Sequence, residues 1–135
     1  MNLAYQSQFA QVEVYKRNQF YTADKGTVLL MLYQGAIDFL KKAIERLQEG
    51  DVAGKGIYVS KTHAIISEFI TSLNHDVGGD LSRKLEDLYR FMLDQLMQAH
   101  VGNDPKPLED VIGLLENLLE GWQAAVVQAR QEGVL

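Results

Sequence analysis

The three histidines are the first residues to ask for chemistry, and none has a companion at a useful spacing. Four-helix proteins that hold two metals place a Glu three residues before a His on each of two helices. Three residues before His63, His75 and His100 stand Ser60, Ser72 and Met97, and no two histidines are four apart. His63 reads as a packed or half-exposed structural histidine beside an apolar stripe. His75 and His100 read as the ends of the second and third helices, where a cation favours the macrodipole. Cysteine is absent, which removes disulfides, thiolate metal sites and cysteine nucleophiles together. Gly54-x-Gly56 and Gly78-Gly79 follow no strand and lack the Lys-Ser/Thr of a phosphate loop. The carboxylates are scattered: Glu45, Glu49 and Asp51 read as a solvated helix end, and Glu86, Asp87 and Asp94 as an exposed face. No carboxylate pair is forced into an apolar setting, as general acid catalysis needs. These residues point away from an enzyme, and no metal or other cofactor is expected.

A chain of 135 residues is one domain by size, 1–135, large enough to bury a core without staples. A net charge of −5 argues against nucleic acid, which needs a basic face, and against an anionic membrane surface. The longest unbroken apolar run, Val28 to Tyr33, is far shorter than the roughly 20 residues of a membrane span, so no membrane insertion is expected. Met1 to Tyr15 lacks the apolar centre of a secretory signal. A cytoplasmic protein is the simplest expectation.

What must position any functional surface is a set of helices. The two prolines, Pro105 and Pro107, share one boundary, and glycines mark the others at Gly50, Gly54 and Gly56, at Gly78 and Gly79, and at Gly102. Four helical segments follow: about Asp24–Gln48, with Asp24 or Thr22 as N-cap, then Lys55–Asn74, Asp80–His100, and a fourth opened by Asp104 as N-cap and Pro105 at the first position. Short connections make consecutive helices antiparallel neighbours. The expected fold is all-α, an antiparallel up-down-up-down four-helix bundle with a short N-terminal helical or capping segment. Residues 1–21 stand apart, polar but studded with aromatics; Tyr5, Phe9 and Val12 have helical spacing. This segment reads as a lid over a groove, a grip for a partner, or a frayed terminus.

The first helix carries an unusually wide apolar face. At about 100° per residue, Leu29, Leu30, Leu32, Tyr33, Ala36, Ile37, Phe39, Leu40, Ala43, Ile44 and Leu47 fill an arc of roughly 180°. A helix packed on one layer needs about 100°. The excess means either a central place in the bundle or apolar surface kept for a partner. Trp122 reads as core, midway along the fourth helix, while Met31, Phe91 and Val127 fall off the stripes and read as exposed contacts.

The order of residues carries a resemblance. Tyr15-x-x-Asn18-Gln19, Thr22-Ala23, Leu29 and Met31-Leu32-Tyr33-x-Gly35-Ala36-Ile37-x-Phe39-Leu40, with Ala43, resemble the start of the flagellin-specific secretion chaperones, the FliS family. Ala64, Ile66, Glu68 and Leu73 resemble its second helix. Gly78-Gly79-Asp80 with Leu85, Leu88-Tyr89, Met92, Leu96 and Ala99 resembles its third, and Asp110-Val111, Leu114-Leu115 and Trp122 its fourth. The chain departs from the family at Gln34, where an acidic residue is common, at Asp24-Lys25, where Ser-Pro is common, and at His100, where Asn is common. Asp24 keeps the capping role, so the helix start is unaffected. The resemblance implies a cytoplasmic chaperone that binds the C-terminal segment of flagellin, keeps it unpolymerised, and helps deliver it to a component of the flagellar export gate, with no cofactor. On that reading Tyr15, Leu29, Leu32, Tyr33, Ala36, Ile37 and Leu40 line or support the client surface. The N-terminal segment, through Tyr5 and Phe9, covers part of it. The alternative is a structural dimerisation or scaffold module, in which the same apolar excess meets a second copy of the chain by self-association.

Overall fold

A computed structural model describes residues 24–134. Helix α1 spans Lys25–Gln48 and opens where Asp24 accepts the Thr27 N–H at 2.8 Å. It stops at Gly50, whose φ of +79° a side chain would resist. There the Gly50 N–H donates to Leu47 O and the Asp51 N–H to Arg46 O, at 3.1 and 2.8 Å, a Schellman closure of the last turn. Helix α2, Val52–Thr71, begins three residues before the expected Lys55, because Asp51 caps it by accepting the Gly54 N–H at 2.9 Å. The cap outweighs the weak helical preference of Gly54 and Gly56.

Helix α3, His75–Gly102, is capped by Asn74 and interrupted at Gly79, with φ +54° and ψ −130°. The long helix therefore resumes at Asp80, the expected start, and a short helical turn precedes it. His75 belongs to that turn and does not end α2, so the macrodipole argument does not hold for it. Its Nδ1 lies 2.8 Å from Ser82 Oγ and its Nε2 3.6 Å from Glu86 Oε1, pinning the turn to the long helix across the kink. His100 does lie in the last turn of α3. Helix α4 spans Pro105–Gln131, with Asp104 as N-cap and Pro105 at its first position.

Each helix packs on two neighbours: α1 on α2 and α4, and α3 on the same two. Connections of two or three residues make them antiparallel, and cross-links agree. The start of α1 meets the end of α4 through Asp24 and Arg130, 3.2 Å apart. The start of α2 meets the end of α3 through Lys55 Nζ, which donates to His100 O at 2.9 Å. The core fills the square: Tyr33, Ala36, Ile37, Leu40 and Ala43 from α1, Val59, Ile66 and Phe69 from α2, Leu85, Tyr89, Met92 and Leu96 from α3, and Leu108, Val111 and Leu115 from α4. Two neighbours account for much of the wide arc on α1. Its centre is core, and Leu29, Leu30, Leu32 and Ile44 at the edges are half-buried. No helix among the described residues is long and apolar enough to cross a membrane.

Candidate client groove

At the end of the bundle where α1 begins, the helices part and leave an open groove of about 550 Å³. One wall is the first two turns of α1: Lys25, Val28, Leu29 and Leu32 recur at three- and four-residue steps and so share a face. The other is the last turn of α2 and its exit, with Glu68, Phe69, Ser72 and Leu73; Tyr89 of α3 and Trp122 of α4 complete the lining. The surface is mostly apolar, with Lys25 and Glu68 as its charged residues.

Beneath it lies an aromatic cluster. The rings of Tyr33 and Phe69 stack with centroids 4.6 Å apart and 19° between planes, and Phe69 and Tyr89 follow at 5.4 Å. Trp122 Nε1 donates to the Tyr33 hydroxyl at 3.0 Å, and the hydroxyls of Tyr33 and Tyr89 share a hydrogen bond. Burial, foremost, pushes both phenols above the ordinary tyrosine value of 10.0, so both keep their protons at neutral pH.

The structure separates the residues expected at the client surface. Leu29 and Leu32 stand in the groove wall. Tyr33 lies beneath it, and Ala36, Ile37 and Leu40 continue down the core, with Ile37 only 1% exposed. Tyr15, Tyr5 and Phe9, the whole lid segment and the alternative cap Thr22 lie outside the described residues. Trp122 is not full core, as its position on the stripe suggested, but a half-buried wall of the groove. Its contribution could have been found from connectivity, since antiparallel packing sets the last turns of α4 beside the first turns of α1. Phe91 and Val127 are exposed as expected, while Met31 is half-buried.

A smaller pocket of about 310 Å³ between α2 and α3 gathers His63 and His100 with Val59, Ser60, Leu96 and Met97. His63 Nδ1 faces Ser67 Oγ at 3.4 Å, and His100 Nδ1 faces the Lys55 ammonium at 3.2 Å, so each has a protein partner on that nitrogen. Among the described residues no three histidine, aspartate or glutamate side chains are grouped to hold a metal.

Similarity to known proteins agrees with this architecture. The sequence model of the family "Flagellar protein FliS" matches residues 6–129. The chain is 35% identical over 116 residues to the flagellar secretion chaperone FliS of Salmonella typhimurium, covering 85% of this chain and 84% of the relative. It is 32% identical over 115 residues to the Vibrio cholerae chaperone of the same name, covering 82% and 85%. The Bacillus subtilis one is 30% identical over 118 residues, covering 87% of each chain. These relatives are named as chaperones, a non-enzymatic class. A helical bundle without strands among its described residues, matched along nearly its whole length, belongs to the FliS family of flagellar secretion chaperones.

Proposed function

We propose that this chain is a cytoplasmic export chaperone that binds the C-terminal segment of flagellin, holds it from premature polymerisation, and assists its delivery to a component of the flagellar export gate. The observation that carries the reading is the open, mostly apolar groove between the start of α1 and the end of α2, in a chain of this family. An amphipathic client helix laid in such a groove sets apolar anchors at three- and four-residue spacing against Val28, Leu29, Leu32 and Leu73. Each leucine-sized anchor fully buried contributes about 1.5–3 kcal/mol. Ordering the client costs about 2–5 kcal/mol or more, so a few anchors are needed for net binding. Residues 1–21 are proposed to cover part of this surface until the client arrives, through Tyr5, Phe9 and Tyr15. The helix opens at Asp24, beside the groove residue Lys25.

The test is calorimetric binding of a flagellin C-terminal segment to wild type, Leu29→Asp and Phe91→Asp, with circular dichroism as the folding control. Leu29→Asp, in the wall, is expected to weaken binding at least tenfold; Phe91→Asp, exposed and not among the groove residues, is expected to bind as wild type. A charge at Ile37 would test folding instead, since that side chain is core. Equal binding by a folded Leu29→Asp variant moves the client elsewhere. A wild type that ignores the segment and sediments as a stable dimer favours the scaffold reading.

A further inference from the structure

The three polar groups under the groove leave one hydroxyl hydrogen without a partner among themselves. Trp122 N–H, Tyr33 O–H and Tyr89 O–H are three donors, and the acceptors among them are the two phenol oxygens. Tyr33 oxygen takes the indole N–H. One of the two phenols then donates to the other. Whichever receives is left with a hydroxyl hydrogen for which no other described residue supplies an acceptor. If Tyr89 donates, the surplus hydrogen belongs to Tyr33, which is 0% exposed and does not line the groove. An unspent donor there carries the full desolvation cost of a buried polar group. If Tyr33 donates, the surplus belongs to Tyr89, which is 2% exposed and does line the groove. The second arrangement places the donor on a residue of the groove lining.

Resting on the client reading of this groove, we infer that Tyr89 is a hydrogen-bond donor of its lining, presented to an oxygen acceptor on the bound client helix. Tyr33 and Trp122 are positioning residues: the indole N–H occupies Tyr33 and turns its hydroxyl toward Tyr89, which frees the Tyr89 hydrogen for the groove. Because burial keeps both phenols protonated, the donor persists across neutral pH. A client register with an acceptor at this point is then favoured over one that sets a methyl group there, which leaves the donor unsatisfied.

The experiment compares Tyr89→Phe with Tyr33→Phe in titrations with a flagellin C-terminal segment. Both variants lose the Tyr33–Tyr89 hydrogen bond, and Tyr33→Phe also loses the acceptor of the Trp122 N–H while keeping the Tyr89 hydroxyl, so damage to the network alone falls harder on Tyr33→Phe. The donor role predicts that Tyr89→Phe binds about tenfold more weakly than Tyr33→Phe, the worth of one buried hydrogen bond. Equal affinities of the two variants overturn it. Should Tyr89→Phe fail to fold, wild type carrying ¹³C at the tyrosine ring Cζ answers the same question. The Tyr89 resonance is expected to shift on adding the segment, and an unmoved resonance under saturation overturns the inference. Segments with their Asn, Gln, Ser, Thr, Asp and Glu residues replaced by Ala one at a time separate the two kinds of acceptor: a Tyr89 effect that survives every replacement means a main-chain carbonyl, and one that vanishes names the side chain. Wild type that does not bind the segment removes the client reading and this inference with it; binding by wild type with equal variants removes the inference alone.

Discussion

Tyr33 shows how a single residue can serve core and site at once. Its ring stacks on Phe69 and its hydroxyl joins Trp122 and Tyr89. Its raised pKa has a consequence on the alkaline side. Past the ordinary value of 10.0 the unfolded chain releases the phenol proton while the folded chain holds it, so the folded state binds more protons and stability falls as pH rises. Urea midpoints measured from about pH 8 to about pH 11 should drop above pH 10, and Tyr33→Phe should flatten that drop. Asp24 is the acid counterpart: the Thr27 N–H, foremost, and Arg130 hold its carboxyl below the usual 3.8. Its contribution is therefore present above 3.8 and lost as pH falls through the lower folded value. Asp24 was legible as a cap because a side-chain oxygen two or three residues from an N–H is a local matter. The role of Lys55 was not. Its residue is 1% exposed and its ammonium caps the carbonyl end of α3, 45 residues away, a partner no window of sequence displays.

The helices were legible as elements because apolar spacing, caps and breakers act within a few residues. Pro105 after Asp104 placed the start of α4 to the residue. The start of α2 came earlier than expected, since Asp51 capped a turn whose glycines read as a boundary. The entry to α3 was only half legible. Gly78-Gly79 announced a break, but the short turn before it, and the way His75 fastens that turn to Ser82 and Glu86, depend on the path of the kink. Gly79 holds φ +54° and ψ −130°, a region that residues with a Cβ rarely enter. Gly79→Ala should therefore cost about 1–3 kcal/mol in urea unfolding, although nothing else lies within 4 Å of the added methyl. A cost near zero would mean that the turn rearranges without strain.

At the scale of the molecule, stability rests on the interior. The surface ion pairs between α1 and α4 and along α4, Lys41–Glu116 and Lys106–Asp110, are exposed and worth little each. Leu40, at the centre of the square and fully buried, should cost about 2–5 kcal/mol when cut to alanine, read as a lower urea midpoint at unchanged slope. The sequence by itself determined the helices, their order and their antiparallel connection, because hydrophobic period, caps and loop length are local and additive. The family was legible too, through the run Met31 to Leu40 and its partners along the chain. Only the tertiary structure decided how the wide arc of α1 is divided. Whether an apolar residue is core or groove depends on where neighbouring helices end and part, which is a property of the assembled bundle. Thus Leu29 and Leu32 lie in an open wall, Ile37 and Leu40 lie in the core, and Trp122, 89 residues from its hydrogen-bond partner Tyr33, closes the site only because the bundle folds α4 back beside the first turns of α1.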